Sequence, residues 1–213
     1  MENINEMDQS ILQIEDLLLQ MAENRRKILE TLTGTDEEPE EENTLHDLVL
    51  ANRNLLFLSE KVDEELNIFN DILVGLKTQM APLYKKIDDQ DDSVFFSEYK
   101  EESASSKLLE VAGVIQQFEI WCSQAIDVQM QYHLNREQIK ESIDFDALQK
   151  SPMVFLSSDL YHAIKLLDKK MEIELKRIAP SIPLHYHLLI KMFEDLISDI
   201  EEIPKNDQPS MYN

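Results

Sequence analysis

The sequence predicts an all-α protein: three long heptad-patterned helices, as a coiled coil or an elongated three-helix bundle, followed by a C-terminal αα-hairpin. Apolar residues recur at alternating spacings of three and four along most of the chain, which places them on one face of a helix. Only 3 of the 213 residues are Gly. Rossmann, P-loop and β-rich folds need Gly for positive-φ turns and phosphate loops. The composition therefore argues against those folds.

The first predicted helix occupies residues 1–33. Its heptad positions are apolar except at Arg25, and the series is Ile4, Met7, Ile11, Ile14, Leu18, Met21, Arg25, Ile28 and Leu32. Gly34 follows the last of them, as is common just beyond a helix C-terminus. Residues 34–44 are dominated by carboxylates that repel one another, which indicates a solvated acidic linker.

The second predicted helix occupies residues 45–87. Its heptad positions are Leu45, Leu48, Asn52, Leu55, Ser59, Val62, Leu66, Phe69, Leu73, Leu76, Met80, Leu83 and Ile87. Pro82 lacks a backbone N–H and clashes with the preceding turn, so it should kink or end this helix near Met80. An acidic loop is predicted at 88–103.

The third predicted helix occupies residues 104–150 and becomes more polar along its length. Its heptad positions are Leu108, Val111, Ile115, Phe118, Cys122, Ala125, Gln129, Tyr132, Arg136, Ile139 and Ile143. Pro152 marks the next boundary, because the residue before a proline avoids the α region. Residues 151–203 should form the hairpin, with Ser158 capping its first helix and a tight turn at Pro180 and Pro183. Residues 204–213 form a polar tail.

The net charge of −23, from 43 acidic and 20 basic side chains, argues against direct nucleic-acid binding and against anionic membrane surfaces. It indicates either a solvated helical surface or an acidic face for a basic partner. The single cysteine, Cys122, rules out an internal disulfide and suits a reducing intracellular compartment. The polar N-terminus and the lack of a long apolar stretch predict neither a signal peptide nor a transmembrane helix.

Few residues are candidates for catalysis or metal binding. His185 and His187 are the best metal candidates, but an i, i+2 pair points to different helix faces and has no third ligand nearby. Cys122 occupies a heptad position, where burial should raise the pKa of its thiol. The acidic residues 88–92 lack the Gly and the bidentate Glu of a calcium loop. We therefore predict no enzymatic activity, cofactor, metal or small-molecule substrate.

Three features each have two interpretations, one functional and one purely structural. Asn52 and Ser59 occupy a-type heptad positions, where polar residues either specify register and partner or mark loose packing. The basic stretch from Lys165 to Arg177 either is a solvated face or docks on an acidic partner or on this chain's own linkers. Thr35 precedes the acidic run and is a possible phosphorylation site.

These features predict a non-enzymatic structural or adaptor subunit of a coiled-coil assembly. By analogy alone, a nuclear kinetochore or spindle assembly is the first hypothesis, and a cytoplasmic membrane-tethering or autophagy scaffold is the alternative. Helical subunits in a hetero-oligomer are the expected partners. The predicted partner-binding residues are Ile11, Ile14, Leu18, Met21, Asn52, Leu58, Leu66, Ile68, Phe69 and Leu73.

Apolar residues outside the heptad positions exceed what one heptad face can bury. They are Leu12, Leu17, Leu19 and Leu29 in the first helix and Leu50, Leu56, Phe57, Leu58, Ile68, Ile72 and Val74 in the second. Residues 45–80 are therefore predicted to contact a partner chain, and the isolated protein is predicted to self-associate or aggregate.

Overall fold

The computed structural model describes residues 6–33, 53–89, 98–141 and 158–201, and these are helical throughout apart from one turn. The helices are α1 (Glu6–Thr33), α2 (Arg53–Asp89), α3 (Glu98–Glu141), α4 (Ser158–Ile178) and α5 (Ser181–Glu201). The all-α prediction is confirmed for these residues. The predicted end of the first helix, at residue 33, and the predicted start of the fourth, at Ser158, coincide with these bounds.

Helix α2 continues through Pro82 to Asp89, so of the two predicted effects of Pro82, a kink or an end near Met80, the end does not occur. A proline in a helix interior removes one backbone hydrogen bond and costs about 3 kcal/mol. Burial offsets this cost, because Met80 and Leu83, on either side of Pro82, are 2% and 1% exposed. Packing of the surrounding turns thus overrides the local preference.

Helix α3 begins at Glu98, inside the segment predicted to be an acidic loop. The predicted loop at 88–103 rested on composition alone, and composition does not distinguish a solvated loop from an acidic stretch of helix.

The junction between α4 and α5 is a turn of two residues, Ala179 and Pro180. The Ala179 N–H still donates to the Leu175 carbonyl at 2.9 Å, as in a continuing α-helix. Pro183 lies in the first turn of α5, where a missing N–H costs little because that N–H would have no helical partner. The two prolines therefore interrupt the helix only briefly.

The chain divides into two compact units. Unit 1 comprises Met1–Asn24, Asp71–Phe118 and His185–Asn213, and unit 2 comprises Arg25–Asn70 and Glu119–Leu184. Among the described residues, each unit contains four helical stretches. Helices α1, α2 and α3 contribute to both units, whereas the fourth stretch comes from α5 in unit 1 and mainly from α4 in unit 2.

The residues of the predicted C-terminal hairpin are divided between the two units. Helix α4 lies in unit 2 and most of α5 in unit 1. Packing of α4 on α5 stays a prediction. Each unit has a further helical stretch beside those of α1, α2 and α3, where the sequence suggested a bundle of three.

In unit 1 the apolar heptad positions of the four stretches are buried, including Ile14, Leu76, Leu108 and Phe193 at 0% exposure. Gly75 lets α1 approach α2 closely, because a Cβ at that position would lie 3.3 Å from Leu17 Cδ1. Three polar or aromatic contacts join α3 to its neighbours. They are Tyr84 Oη donating to the Leu108 carbonyl at 3.2 Å, Lys107 pairing with Asp199 at 2.6 Å, and Phe118 stacking on His185.

In unit 2 the core combines apolar and polar side chains. Leu66, Phe69, Ile164 and Leu175 are completely buried, and the Phe69 ring meets Trp121 edge to face at 6.5 Å between centroids. Polar residues occupy several neighbouring buried positions of α2 and α3, and the candidate site is built on them.

Candidate interaction surface and its polar foundation

A hydrogen-bonded chain of three polar side chains joins α2 to α3 in unit 2. Ser59 and Gln129 are each 1% exposed. The Ser59 hydroxyl donates to Gln129 Oε1 at 2.6 Å, and Gln129 Nε2 donates to Asp63 Oδ1. Since an unmatched buried amide would cost about 1–3 kcal/mol, this pairing favours one register of α2 against α3. Ser59, predicted to be either a register residue or a loose position, is buried and hydrogen-bonded.

A second polar group joins α3 to α4. Arg136 Nη2 lies 3.2 Å from Asp168 Oδ2, and the Tyr132 hydroxyl donates to Asp168 Oδ1 at 3.0 Å. Burial raises the pKa of Asp168, although the Arg136 guanidinium acts against that shift. Burial and the Asp168 charge together raise the pKa of Tyr132 to about 12, so its hydroxyl remains a hydrogen-bond donor at neutral pH.

A groove of about 400 Å³ lies on the outer surface of α2 and α3, above the Ser59–Gln129–Asp63 chain. Its lining residues are Leu56, Phe57, Ser59, Glu60, Asp63 and His133. Phe57 is 59% exposed, and the Lys61 ammonium lies 5.8 Å from its ring centroid. Met130 and Leu134, three residues before and one after His133 on α3, are 54% and 52% exposed. We call these groove residues, together with Met130 and Leu134, the groove face.

The groove face has the chemistry of a recognition surface. Its exposed apolar side chains would gain stability from burial, at about 25 cal/mol per Å² of apolar area removed from water. Glu60 and Asp63 place two carboxyls beside them, which suits a partner with basic or N–H groups next to apolar ones. Gln129 holds Asp63 in place, so the carboxyl position is defined before a partner arrives.

The residues considered for catalysis or metal binding do not line the groove. Cys122 is 1% exposed, and burial raises the pKa of its thiol to about 12, which confirms the predicted effect of its heptad position. His185 stacks on Phe118 with centroids 4.2 Å apart, and burial lowers its pKa. His187 is exposed. Within the described ranges, no group of three His, Cys, Asp or Glu side chains could hold a metal ion.

Most of the predicted partner-binding residues are buried in this chain's own core. This set comprises Ile11, Ile14, Leu18, Met21, Leu66, Phe69 and Leu73. Other residues of the same chain therefore cover these heptad faces. Leu58 is half-buried and Ile68 is 37% exposed, so contact of these two residues with a partner remains a prediction. Asn52 and Thr35 lie outside the described residues, so the register role and the phosphorylation stay predictions.

Sequence reasoning missed several residues of the groove face. Phe57 stands out in the sequence as an additional apolar residue, and it is the most exposed large apolar side chain among the described side chains of α2. Gln129 could have been found, because it occupies a heptad position that should be apolar. Asp63 and His133 carry no signal in the sequence, since each is an ordinary polar residue until α2 and α3 are packed together.

We expect mild acidification to stabilise the protein. Burial raises the pKa of Asp63 and Glu65, which are ordinarily 3.8 and 4.5. A carboxyl with a raised pKa binds its proton more tightly in the folded chain. The resulting stabilisation is complete below the unfolded pKa and is lost as the pH rises through the folded pKa. The melting temperature should therefore rise as the pH falls from about 7 toward the ordinary pKa values of these carboxyls.

The Asp63→Asn, Glu65→Gln double variant is the control for this pH dependence. It cannot take up protons at those two positions, so its melting temperature should rise less than that of the wild type over the same range. A wild-type melting temperature that falls steadily on acidification would contradict the assignment.

Comparisons with known proteins identify a structure with a similar fold, but they identify no family. No family of known proteins matches the sequence, and no curated protein matches it. Within the described residues, no helix is long and apolar enough to span a membrane. The crystal structure of the 11S subunit of the Plasmodium falciparum proteasome, PA28, is similar, with a TM-score of 0.55 at 16% sequence identity. The match covers 93% of this chain and 91% of that one, and it shows that the two share an all-helical fold.

Proposed function

We propose that this chain is a non-enzymatic subunit of a protein assembly and that it binds a partner through the groove face. The observation that carries the proposal is the exposure of Phe57 in a groove with two carboxyls. Met130 and Leu134, close to His133 on α3, are exposed as well. The partner is a protein segment that presents apolar side chains next to lysine or arginine. A chain with a net charge of −23 attracts such a segment over a distance as well as at contact.

Rigidity beneath the groove supports this proposal. The buried Ser59–Gln129–Asp63 chain and the Tyr132–Arg136–Asp168 group fix α2, α3 and α4 of unit 2 to one another. A partner that binds a preorganised surface loses less conformational entropy than one that must order a mobile surface. The groove face is thus suited to a stable complex.

The likeness to the 11S subunit supports the same class of function. That protein is itself a subunit, of the Plasmodium falciparum proteasome, and it has the same helical fold. We take from it only that this architecture serves as an assembly subunit.

The groove face can be tested by affinity purification of the endogenous protein with quantitative mass spectrometry. The test variant is Phe57→Ser, Leu134→Ser, which removes one exposed apolar side chain from α2 and one from α3. The matched control is Val74→Ser, Leu109→Ser, which removes 51% and 61% exposed side chains from the same two helices in unit 1. We expect the test variant to lose stoichiometric partners at least about tenfold and the control to retain them.

Circular dichroism separates binding from folding in this experiment, because both variants should keep the wild-type helical signal. Equal partner recovery from the wild type and the test variant would exclude the groove face. A wild-type protein that purifies without any stoichiometric partner would exclude the subunit role itself.

For the cellular role we propose a nuclear assembly of the kinetochore or spindle type, with a cytoplasmic membrane-tethering or autophagy scaffold as the alternative. Long helices that hold binding surfaces apart support both by analogy. Fluorescence microscopy of the tagged endogenous protein separates them, since a kinetochore or spindle subunit concentrates on chromosomes or spindles during mitosis. A tether follows membranes instead and sediments with them.

A further inference from the structure

The outer face of α4 carries two exposed apolar residues with two lysines between them. Leu166 and Ile173 are 68% and 57% exposed, and they lie seven residues apart. Lys169 and Lys170, both exposed, lie three and four residues after Leu166. Positions i, i+3, i+4 and i+7 share one side of a helix, so these four side chains form a single surface, the basic α4 face. Its apolar residues are about 10 Å apart along the axis.

The outer face of α1 carries the same arrangement with the opposite charge. Leu12 and Leu19 are 51% and 70% exposed and are also seven residues apart. Glu15 and Asp16, both exposed, lie three and four residues after Leu12. These four residues form the acidic α1 face, which matches the basic α4 face in the number, spacing and position of its apolar and charged side chains.

We propose that the acidic α1 face of one copy of this chain packs against the basic α4 face of a second copy. Leu12 and Leu19 would be buried against Leu166 and Ile173, while Glu15 and Asp16 would pair with Lys169 and Lys170. Because the two faces differ, the contact is heterologous, and repetition produces a closed ring or an open chain of subunits. This contact uses no groove-face residue, so it can fail while the proposed function stands, and the reverse also holds.

Charge complementarity favours a second copy of this chain as the partner of the basic α4 face. The chain has a net charge of −23, so two copies repel each other at most orientations. The basic α4 face offers Lys169 and Lys170 to an approaching acidic surface, whereas Lys176 and Arg177 on the same helix are already paired with Glu172 and Glu174. The acidic α1 face supplies the complementary carboxylates together with apolar residues at the same spacing. Complementary charge then selects the pairing, and apolar burial stabilises it.

A charge exchange tests the contact with the full-length chain. One variant carries Lys169→Glu and Lys170→Glu, and the other carries Glu15→Lys and Asp16→Lys. Each variant alone presents two faces of like charge, so analytical ultracentrifugation should show self-association at least about tenfold weaker than in the wild type. An equimolar mixture restores opposite charges and should associate again, with both variants present in the complex.

Two further measurements accompany the charge exchange: the salt dependence of association and the helicity of each variant. Wild-type association should weaken as NaCl is raised to about 1 M, because surface charges are then screened within about 3 Å. Circular dichroism should report unchanged helicity in both variants. If a reversed variant loses helicity, Lys169→Gln with Lys170→Gln replaces it and should weaken association in the same direction.

Three outcomes would overturn the inference. The first is a wild-type chain that stays monomeric up to about 100 μM. The second is a pair of folded variants that associate as the wild type does. The third is a mixture of the two variants that fails to associate although both are folded.

Discussion

Replacing Ile14 by Asp should destabilise the folded chain by about 4 kcal/mol, enough to unfold much of a marginally stable protein. Ile14 is completely buried in the core of unit 1, on the heptad face of α1. An aspartate there would place a carboxylate among apolar side chains without a partner, and it would also remove the packing of the isoleucine. Urea denaturation followed by circular dichroism measures the loss.

The matched control is Gln13→Asp, one residue earlier on the exposed side of α1. It introduces the same side chain in the same helical turn, so it reports the helix propensity and the added charge without the burial. We expect a loss below about 0.5 kcal/mol. Similar losses in the two variants would show that the heptad face of α1 does not face the core.

Replacing Asp168 by Ala should cost about 3 kcal/mol. The Arg136 side chain is only 9% exposed, and Asp168, at 20% exposure, lies 3.2 Å from it. Removing the carboxylate leaves a largely buried guanidinium without that counter-charge and also takes the acceptor from the Tyr132 hydroxyl. Breaking a buried ion pair from one side is much more costly than the pair's net contribution, because the desolvated charge remains.

Two controls separate this effect from a general loss of packing. The double variant Arg136→Met, Asp168→Leu removes both charges and should recover most of the lost stability. The variant Glu172→Ala breaks the ion pair with Lys176, whose side chains are 49% and 70% exposed, and should cost less than about 0.5 kcal/mol. A double variant no more stable than Asp168→Ala would mean that Arg136 is adequately solvated in the folded chain.

Local sequence preferences and the observed helices differ at the ends of the helices. Pro82 predicted a kink or an end near Met80, and Asp88 to Asp92 predicted a loop, because both inferences used only local preferences. The buried neighbours Met80 and Leu83 keep α2 helical as far as Asp89. Local preferences are worth a few kcal/mol at most, so several buried side chains in one turn can reverse them.

The residues of the groove face could likewise be predicted from the sequence only in part. Exposed Phe57 and the polar heptad residues Ser59 and Gln129 could be selected from the sequence, because each departs from the pattern of its own helix. Their grouping with Asp63 and His133 could not be predicted, since it depends on the register of α2 against α3. The same applies to the acidic α1 face and the basic α4 face, whose complementary spacing is visible in the sequence while their exposure is not.

The sequence by itself determined which residues face the core. Ile14, Leu66, Ile115 and Phe118 were assigned from the spacing of three and four, and each is buried. Helical periodicity is a local property, so a single chain is sufficient to reveal it. The tertiary structure alone decided what covers those faces: within the described residues, they are covered by other helical stretches of the same chain in each of the two units. The physical reason is that a heptad face requires an apolar partner but does not specify which helix provides it.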